Sequence, residues 1–301
     1  MIYWNNNLDL SKTLRLGGQA LPEGILIKGP KYIVVAYRDK LNDIDFVTLE
    51  WSFKLFDYLR KIPFIRGLIT IFETFSLSIK SIFVMAEISD DEINLDSIYF
   101  KLSISLMFVV VILLTIGIII FVPKLIATLI TDYFLSSTVF KIWIELLLRF
   151  SIFFSYIFLY RFFAVGKKMF QYHAAEHMSI HAYENQELLT KDNLRKFNKE
   201  HPRCGTAFLA FVFIYANIIF HTIDFNLGFI YLFLARLIIS LFIISLTYET
   251  LLLGWKSDKM FFGKIINFPG YILQKITTMK PCDDDLDLAI AGTNKCVELH
   301  K

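Results

Sequence analysis

The stretch LSISLMFVVVILLTIGIIIFV, residues 102–122, carries none of Asp, Glu, Lys or Arg before the chain reaches Pro123-Lys124. A bilayer core about 30 Å thick is crossed by about 20 apolar helical residues, so this run predicts a membrane span. Three more runs follow it. Ile142–Ala164 is apolar apart from Glu145, Arg149 and Arg161, Cys204–Ile223 is free of charge, and Gly228–Leu253 carries Arg236 and Glu249. Each predicts a further span. Phe64–Glu87 is apolar as well, but Arg66, Glu73 and Lys80 recur in it at sevenfold spacing. That spacing keeps the charges on one stripe, which predicts a helix lying in the membrane interface rather than across it.

The composition agrees. Of 301 residues 55% are hydrophobic, 31 are Phe and only 20% are charged, which excludes a disordered chain. Three cysteines are too few for a disulfide scaffold. A net charge of +3 does not suit nucleic acid as a partner. The fold class expected is mainly α, a polytopic helical membrane protein of about four spans. No signal-peptide core stands at the N-terminus. Lys and Arg then set the orientation. Val165–Arg203 carries seven of them and the chain after Leu253 seven again, whereas Pro123–Lys141 carries two and Thr222–Leu227 none. Both termini and the long middle loop are therefore expected on the cytoplasmic side, with reduced thiols.

Ahead of the spans, Gly17-Gly18-Gln19-Ala20 and Glu23-Gly24 read as a turn-rich entry. Ile25-Leu26-Ile27, then Tyr32–Tyr37 after a Gly29-Pro30 turn, then Phe46–Leu49 read as strands of a small antiparallel unit. The division expected is a β-rich cytoplasmic unit at 1–62 and an interfacial helix with linker at 63–99. A membrane domain at 100–255, with the loop 165–203 inside it, and a cytoplasmic tail at 256–301 complete it. The acidic run Asp283–Asp285 reads as a solvated helix start, and Cys282 and Cys296 have no metal-like spacing.

Chemistry concentrates in the middle loop. Phe170–Glu184 contains neither Gly nor Pro and should be helical. His173 and His177 at i and i+4 are displaced by about 40° around such a helix, so both imidazoles can reach one ion. The string His-x-x-Glu-His is the inverted zincin pattern, in which two histidines hold zinc and the glutamate, here Glu176, is the general base. His181 lies about 12 Å along the axis from His173, too far to share that ion. Further candidates stand at the same membrane level. His201 and Cys204 have ligand spacing at the start of a helix, which favours thiolate. Glu249 is an ionisable residue near the inner end of the last span. One drawing uses His173, His177 and Glu249 around zinc with Glu176 as base. The other uses His173, His177, His201 and Cys204 as a closed structural zinc. Glu145, Arg149 and Arg236 read as interhelical pairing, with a polar path as the alternative.

Several blocks together are specific: Gly17-Gly18-Gln19-Ala20-x-x-Glu23-Gly24, Lys28-Gly29-Pro30, Pro63-Phe64-Ile65-Arg66-Gly67, Phe170–His177, His201-Pro202-Arg203-Cys204-Gly205-Thr206, Tyr248-Glu249, and Pro269-Gly270 with Leu273-Gln274-x-x-Thr277-Thr278. In these the chain resembles the YqhQ-like family of bacterial multi-pass membrane proteins, which carries the label of predicted metal-dependent enzymes. The resemblance runs from about Leu16 to Ala291. It implies that the His-x-x-Glu-His helix, the His-Pro-Arg-Cys-Gly turn and the Tyr248-Glu249 pair are family features. It supplies no reaction. Leu21-Pro22 and His181 depart from the family pattern without touching a candidate ligand.

The function expected is a membrane-embedded hydrolase dependent on a divalent metal, by donor chemistry zinc, acting on a peptide or lipid-linked substrate. A non-catalytic scaffold or assembly factor with a structural zinc is the alternative, and a small-solute transporter a weaker one. The lipid bilayer is the expected partner, and a homo-oligomer is compatible with the sequence.

Overall fold

The computed structural model describes residues 14–51, 58–89, 98–134, 138–222, 229–257 and 260–301. Four strands, β1 (Gly17–Leu21), β2 (Gly24–Lys28), β3 (Tyr32–Arg38) and β4 (Ile44–Glu50), form an antiparallel meander in the order β1-β2-β3-β4. Helices α1 (Ile65–Ser89), α2 (Ile98–Phe134) and α3 (Thr138–Tyr160) follow. Next come α4 (Ala164–Glu184), the single turn α5 (Lys191–Leu194) and α6 (Gly205–Thr222). The chain closes with α7 (Phe229–Lys256), α8 (Phe261–Thr277) and α9 (Asp283–Glu298).

The sheet is covered on both faces, which is why β2 and β3 read as continuous apolar runs instead of alternating ones. Ile25, Ile27, Val34 and Ala36 pack with Tyr172, Ala175 and Met178 of α4 and Leu286, Leu288 and Ala289 of α9. Leu21, Leu26, Ile33 and Val35 pack on the other side with Trp51 and with Leu77, Val84 and Met85 of α1. The β-rich unit is thus not confined to 1–62. The segment read as a tail supplies α9, whose acidic start is partly solvated as expected, while Asp285 is buried against Lys168. At the far end His300 Nε2 accepts the backbone N–H groups of Lys31 and Tyr32, at 3.0 and 3.1 Å.

Two local readings change. Gly17-Gly18-Gln19-Ala20 is strand β1 at the sheet edge, not a turn. A Cβ on Gly18 would stand 2.6 Å from Glu176 Oε1, so glycine serves close approach here. The charges of α1 do share one stripe, but it faces protein instead of water. Arg66 pairs with Glu249, Glu73 with Arg60 and Lys28, and Lys80 lies over the Trp51 ring. With those charges turned toward protein, the exposed large side chains of α1 are apolar, among them Ile65, Phe72 and Phe75.

Among the described residues, Ile65–Ala86, Val139–Tyr160 and Leu234–Lys256 are long and apolar enough to cross a membrane. Leu102–Val122 lies inside α2, and that helix runs on past Pro123 to Phe134 instead of ending there. A proline removes one intrahelical hydrogen bond, which membrane helices tolerate. The apolar part of α6, Gly205–Phe220, is shorter, at about 24 Å. Residues 223–228, which hold most of the expected charge-poor connection, lie outside the described residues. So do 1–13 and 52–57 of the N-terminal unit.

Candidate metal centre

Helix α4 is buried on almost every side because it is wedged between the sheet and the ends of the apolar helices. Its small residues Ala174, Ala175 and Ala182 have no exposure. Tyr172, Ala175 and Met178 take the sheet side. His173 and His177 take the side facing α6 and α8, with ring centroids 4.3 Å apart.

Across from them stands Cys204, immediately before α6. Its thiol sulfur lies 3.1 Å from His173 Nε2 and accepts the Thr206 N–H at 3.4 Å. Donor atoms of His173, His177 and Cys204 all fall within 4.8 Å of one another. The remaining ring nitrogens are anchored. His173 Nδ1 is 3.0 Å from the Thr277 carbonyl and His177 Nδ1 is 2.5 Å from the Lys199 carbonyl. Such anchoring makes Nδ1 the N–H donor and turns Nε2 of each ring inward, as in histidines that bind metal. Among the described residues, His177 Nε2 and Glu176 Oε1 are buried without a hydrogen-bond partner. Glu176 Oε2 is 3.8 Å from that same Nε2. Buried orphan atoms are rare in folded proteins and point to a missing ion or water. Two imidazoles, one thiolate-capable sulfur and an adjacent carboxylate fit a divalent ion of zinc type.

The electrostatics of the bare side chains point the same way. Burial opposes ionisation of both partners, yet each stabilises the charge of the other. Burial disfavours the His173 cation, but the Cys204 sulfur prevails and raises the imidazole to about 9. Burial also opposes the Cys204 thiolate, but His173 and His177 bring the thiol well below its usual range.

The structure divides the sequence candidates sharply. His173, His177, Cys204 and Glu176 come together. His201 stays beside the cluster, 5.7 Å from His177 between ring centroids, with both nitrogens committed elsewhere. Its Nδ1 accepts the Arg203 N–H at 3.1 Å and its Nε2 is 3.3 Å from Glu184 Oε2. Burial, with His177 nearby, keeps it neutral by lowering its pKa well below the ordinary value. His181 is likewise held neutral, down to about 2, by burial and then by His201. Glu249 is elsewhere altogether: it binds the Arg66 guanidinium and accepts the Phe64 N–H at 2.9 Å. Tyr248 is buried beside it against Gly67, and Glu23 is exposed in the β1–β2 turn. Glu145 and Arg149 form an i,i+4 ion pair, Arg149 also reaches Asn217 at 3.2 Å, and Arg236 lies over the Phe220 ring. The Glu145–Arg149 pair thus lies within α3, and the contacts of this group to other helices include Arg149 to Asn217 and Arg236 to Phe220.

The supporting residues were not singled out as such from sequence. Gln274 grips the His201 backbone at both N–H (2.7 Å) and carbonyl (3.1 Å). Glu184 joins Arg203 to His201, and Arg203 covers the Trp255 ring at 5.5 Å. Gln274 and Thr277 stand in a quoted motif, and Gly18 in another, so the signal was present without its meaning.

A family model described as "Protein of unknown function (DUF1385)" matches residues 62–299, which hold all the candidate ligands. The chain is 27% identical over 297 residues to the "Uncharacterized protein YqhQ" of Bacillus subtilis (strain 168), covering 94% of this chain and 92% of that one. No solved structure matches.

Proposed function

The chain belongs to the DUF1385 family, and we propose that it is a metal-dependent hydrolase seated at the end of a membrane-helix bundle. His173, His177 and Cys204 hold the ion and Glu176 is the acid–base group. The observation that carries this reading is the convergence of three donor atoms within 4.8 Å beside a buried carboxylate oxygen that bonds to nothing among the described residues. A zinc ion held there supplies Lewis acidity and lowers the pKa of water. Thr277 and Lys199 fix the two rings through their carbonyls, so Nδ1 of each is the anchored nitrogen and Nε2 is the atom turned toward the ligand cluster. Gly18 leaves the space into which the Glu176 carboxylate fits. Glu176 takes the proton that water loses as its oxygen attacks the carbonyl or phosphoryl centre. It then gives that proton to the leaving group.

The Lys and Arg distribution supports a reading in which both termini and the site lie on the cytoplasmic side of a bacterial inner membrane. A site beside the ends of apolar helices suits a peptide or lipid-linked substrate. The test is metal analysis of the purified chain together with a Glu176→Gln variant. Stoichiometric zinc with loss of in vivo function in that variant supports the hydrolase, and full function in it contradicts it.

A second reading draws on burial. His177 and Glu176 have 0% and 1% of their surface exposed and Cys204 2%. A closed site of this kind also suits a structural zinc that staples α4 to the start of α6 in a non-catalytic scaffold. Under that reading Glu176→Gln is nearly silent.

A further inference from the structure

Helix α8 is amphipathic the wrong way round for a helix in water. Its buried positions are Gly263, Asn267, Gly270, Leu273, Gln274 and Thr277. Apart from Leu273, these hold the helix to the protein by small and polar side chains. On the opposite side Phe261, Ile265, Phe268 and Ile272 lie within about 60° of arc, and they are 80%, 54%, 61% and 41% exposed. Lys264 and Lys275, both exposed, flank that stripe on one side.

The contacts of the buried face fix the direction of the helix. Asn267 Nδ2 donates to the Gly254 carbonyl at 3.2 Å, in the last turn of α7. Gly270 meets Ala207 in the first turn of α6, so closely that a Cβ would stand 2.5 Å from the alanine Cβ. Leu273 is buried in one cluster with Ile157, in the last turn of α3. Successive turns of α8 therefore meet the ends of three different apolar helices at one level. A helix that does this runs across the bundle.

We propose that α8 lies in the plane of the membrane with the Phe261–Ile272 stripe embedded in the headgroup boundary of a phospholipid bilayer. The inference rests on the reading that α3 and α7 cross that bilayer. Continuity favours lipid over other partners, because α8 starts just after α7 ends and stays level with the ends of its neighbours. The flanking lysines suit it too, since their stems can lie along apolar surface while the ammonium groups reach phosphates. The embedded helix also reaches the metal centre: its last residue, Thr277, anchors His173, and Gln274 holds His201.

The test uses the full chain in bilayers of mixed zwitterionic and anionic phospholipid. Cys282→Ser removes the one exposed thiol and leaves Cys204 and Cys296 buried. Nitroxide labels are placed in that background at Phe261→Cys, Ile265→Cys, Phe268→Cys and Ile272→Cys. Leu241→Cys on α7 is the lipid reference and Asp284→Cys on α9 the water reference. The four α8 labels should be relaxed several-fold more by oxygen than by a water-soluble nickel chelate, at shallower depth than the Leu241 label. Relaxation matching the Asp284 label overturns the inference while leaving the spans intact. Dipolar broadening between copies at Phe268 assigns the stripe to a second chain and overturns it as well. A Leu241 label that itself behaves as if in water removes the membrane reading and this inference with it.

Discussion

Nε2 of His173 lies 3.1 Å from the Cys204 sulfur, although 31 residues separate them. That closeness depends on two backbone anchors. The Thr277 carbonyl orients the imidazole, and Gln274 secures the His201 backbone three residues before the cysteine. The pair is thus set by α8 as much as by α4 and α6. Several consequences can be measured.

Removing one ligand should empty the site. His177→Ala and Cys204→Ser should each reduce zinc, measured by elemental analysis of purified protein, from about one per chain to about a tenth of that, since three ligands leave little redundancy. His201→Ala should leave most of the metal in place, because both of its ring nitrogens are turned to Arg203 and Glu184.

Glu176→Gln separates chemistry from structure. It keeps shape and metal while removing the base, so the hydrolytic function should fall by about 10²- to 10⁴-fold, read as failure to complement a deletion. Gly18→Ala should act in the same direction, because its Cβ would displace the Glu176 carboxylate. Metal content should persist in both variants.

The ion pair makes the metal-free protein sensitive to pH. The raised His173 contributes stability that is complete below the ordinary imidazole value of about 6.5 and is lost as pH climbs through about 9. The depressed Cys204 thiol contributes stability that is complete above its ordinary value of about 8.5 and is lost as pH falls toward its depressed one. Thermal melts of chelator-treated protein should therefore show a plateau between those ordinary values and decline on either side. Zinc requires His173 to be neutral, so loading should remove the alkaline decline and release a proton.

Glu249→Gln should weaken the fold and spare the site. The carboxylate neutralises Arg66 and holds Phe64 at φ 66, a backbone region uncommon for a bulky side chain. Loss of a pair that is mostly shielded should lower stability by about 2 kcal/mol, less than for a fully buried one. Denaturation in detergent would measure this, and zinc content should be unchanged.

Much of this was legible in the sequence because it depends on local pattern. β-branched runs between turns marked β2, β3 and β4, and i,i+4 spacing marked His173 and His177. What sequence leaves open depends on distant partners. Glu249 resembled a third ligand until Arg66, 183 residues away, was placed on its carboxylate. His201 and Cys204 looked equivalent by spacing, yet a backbone N–H two residues along occupies one nitrogen of His201 and leaves the thiol free for His173. Gly17-Gly18-Gln19-Ala20 looked like part of a turn-rich entry because nothing local reveals that a glutamate from α4 needs the space above Gly18. The charge stripe on α1 was correctly placed on one face, but periodicity does not say whether that face meets water or protein.

The central claim is that His173, His177 and Cys204 share one metal ion. X-ray absorption at the zinc edge of the purified full-length protein tests it most directly. The account predicts one sulfur scatterer at about 2.3 Å with imidazole nitrogens at about 2.0 Å, the sulfur shell disappearing in whatever metal Cys204→Ser retains. A metal shell of oxygen and nitrogen alone in the wild-type protein, or protein that takes up no zinc on dialysis, would contradict it.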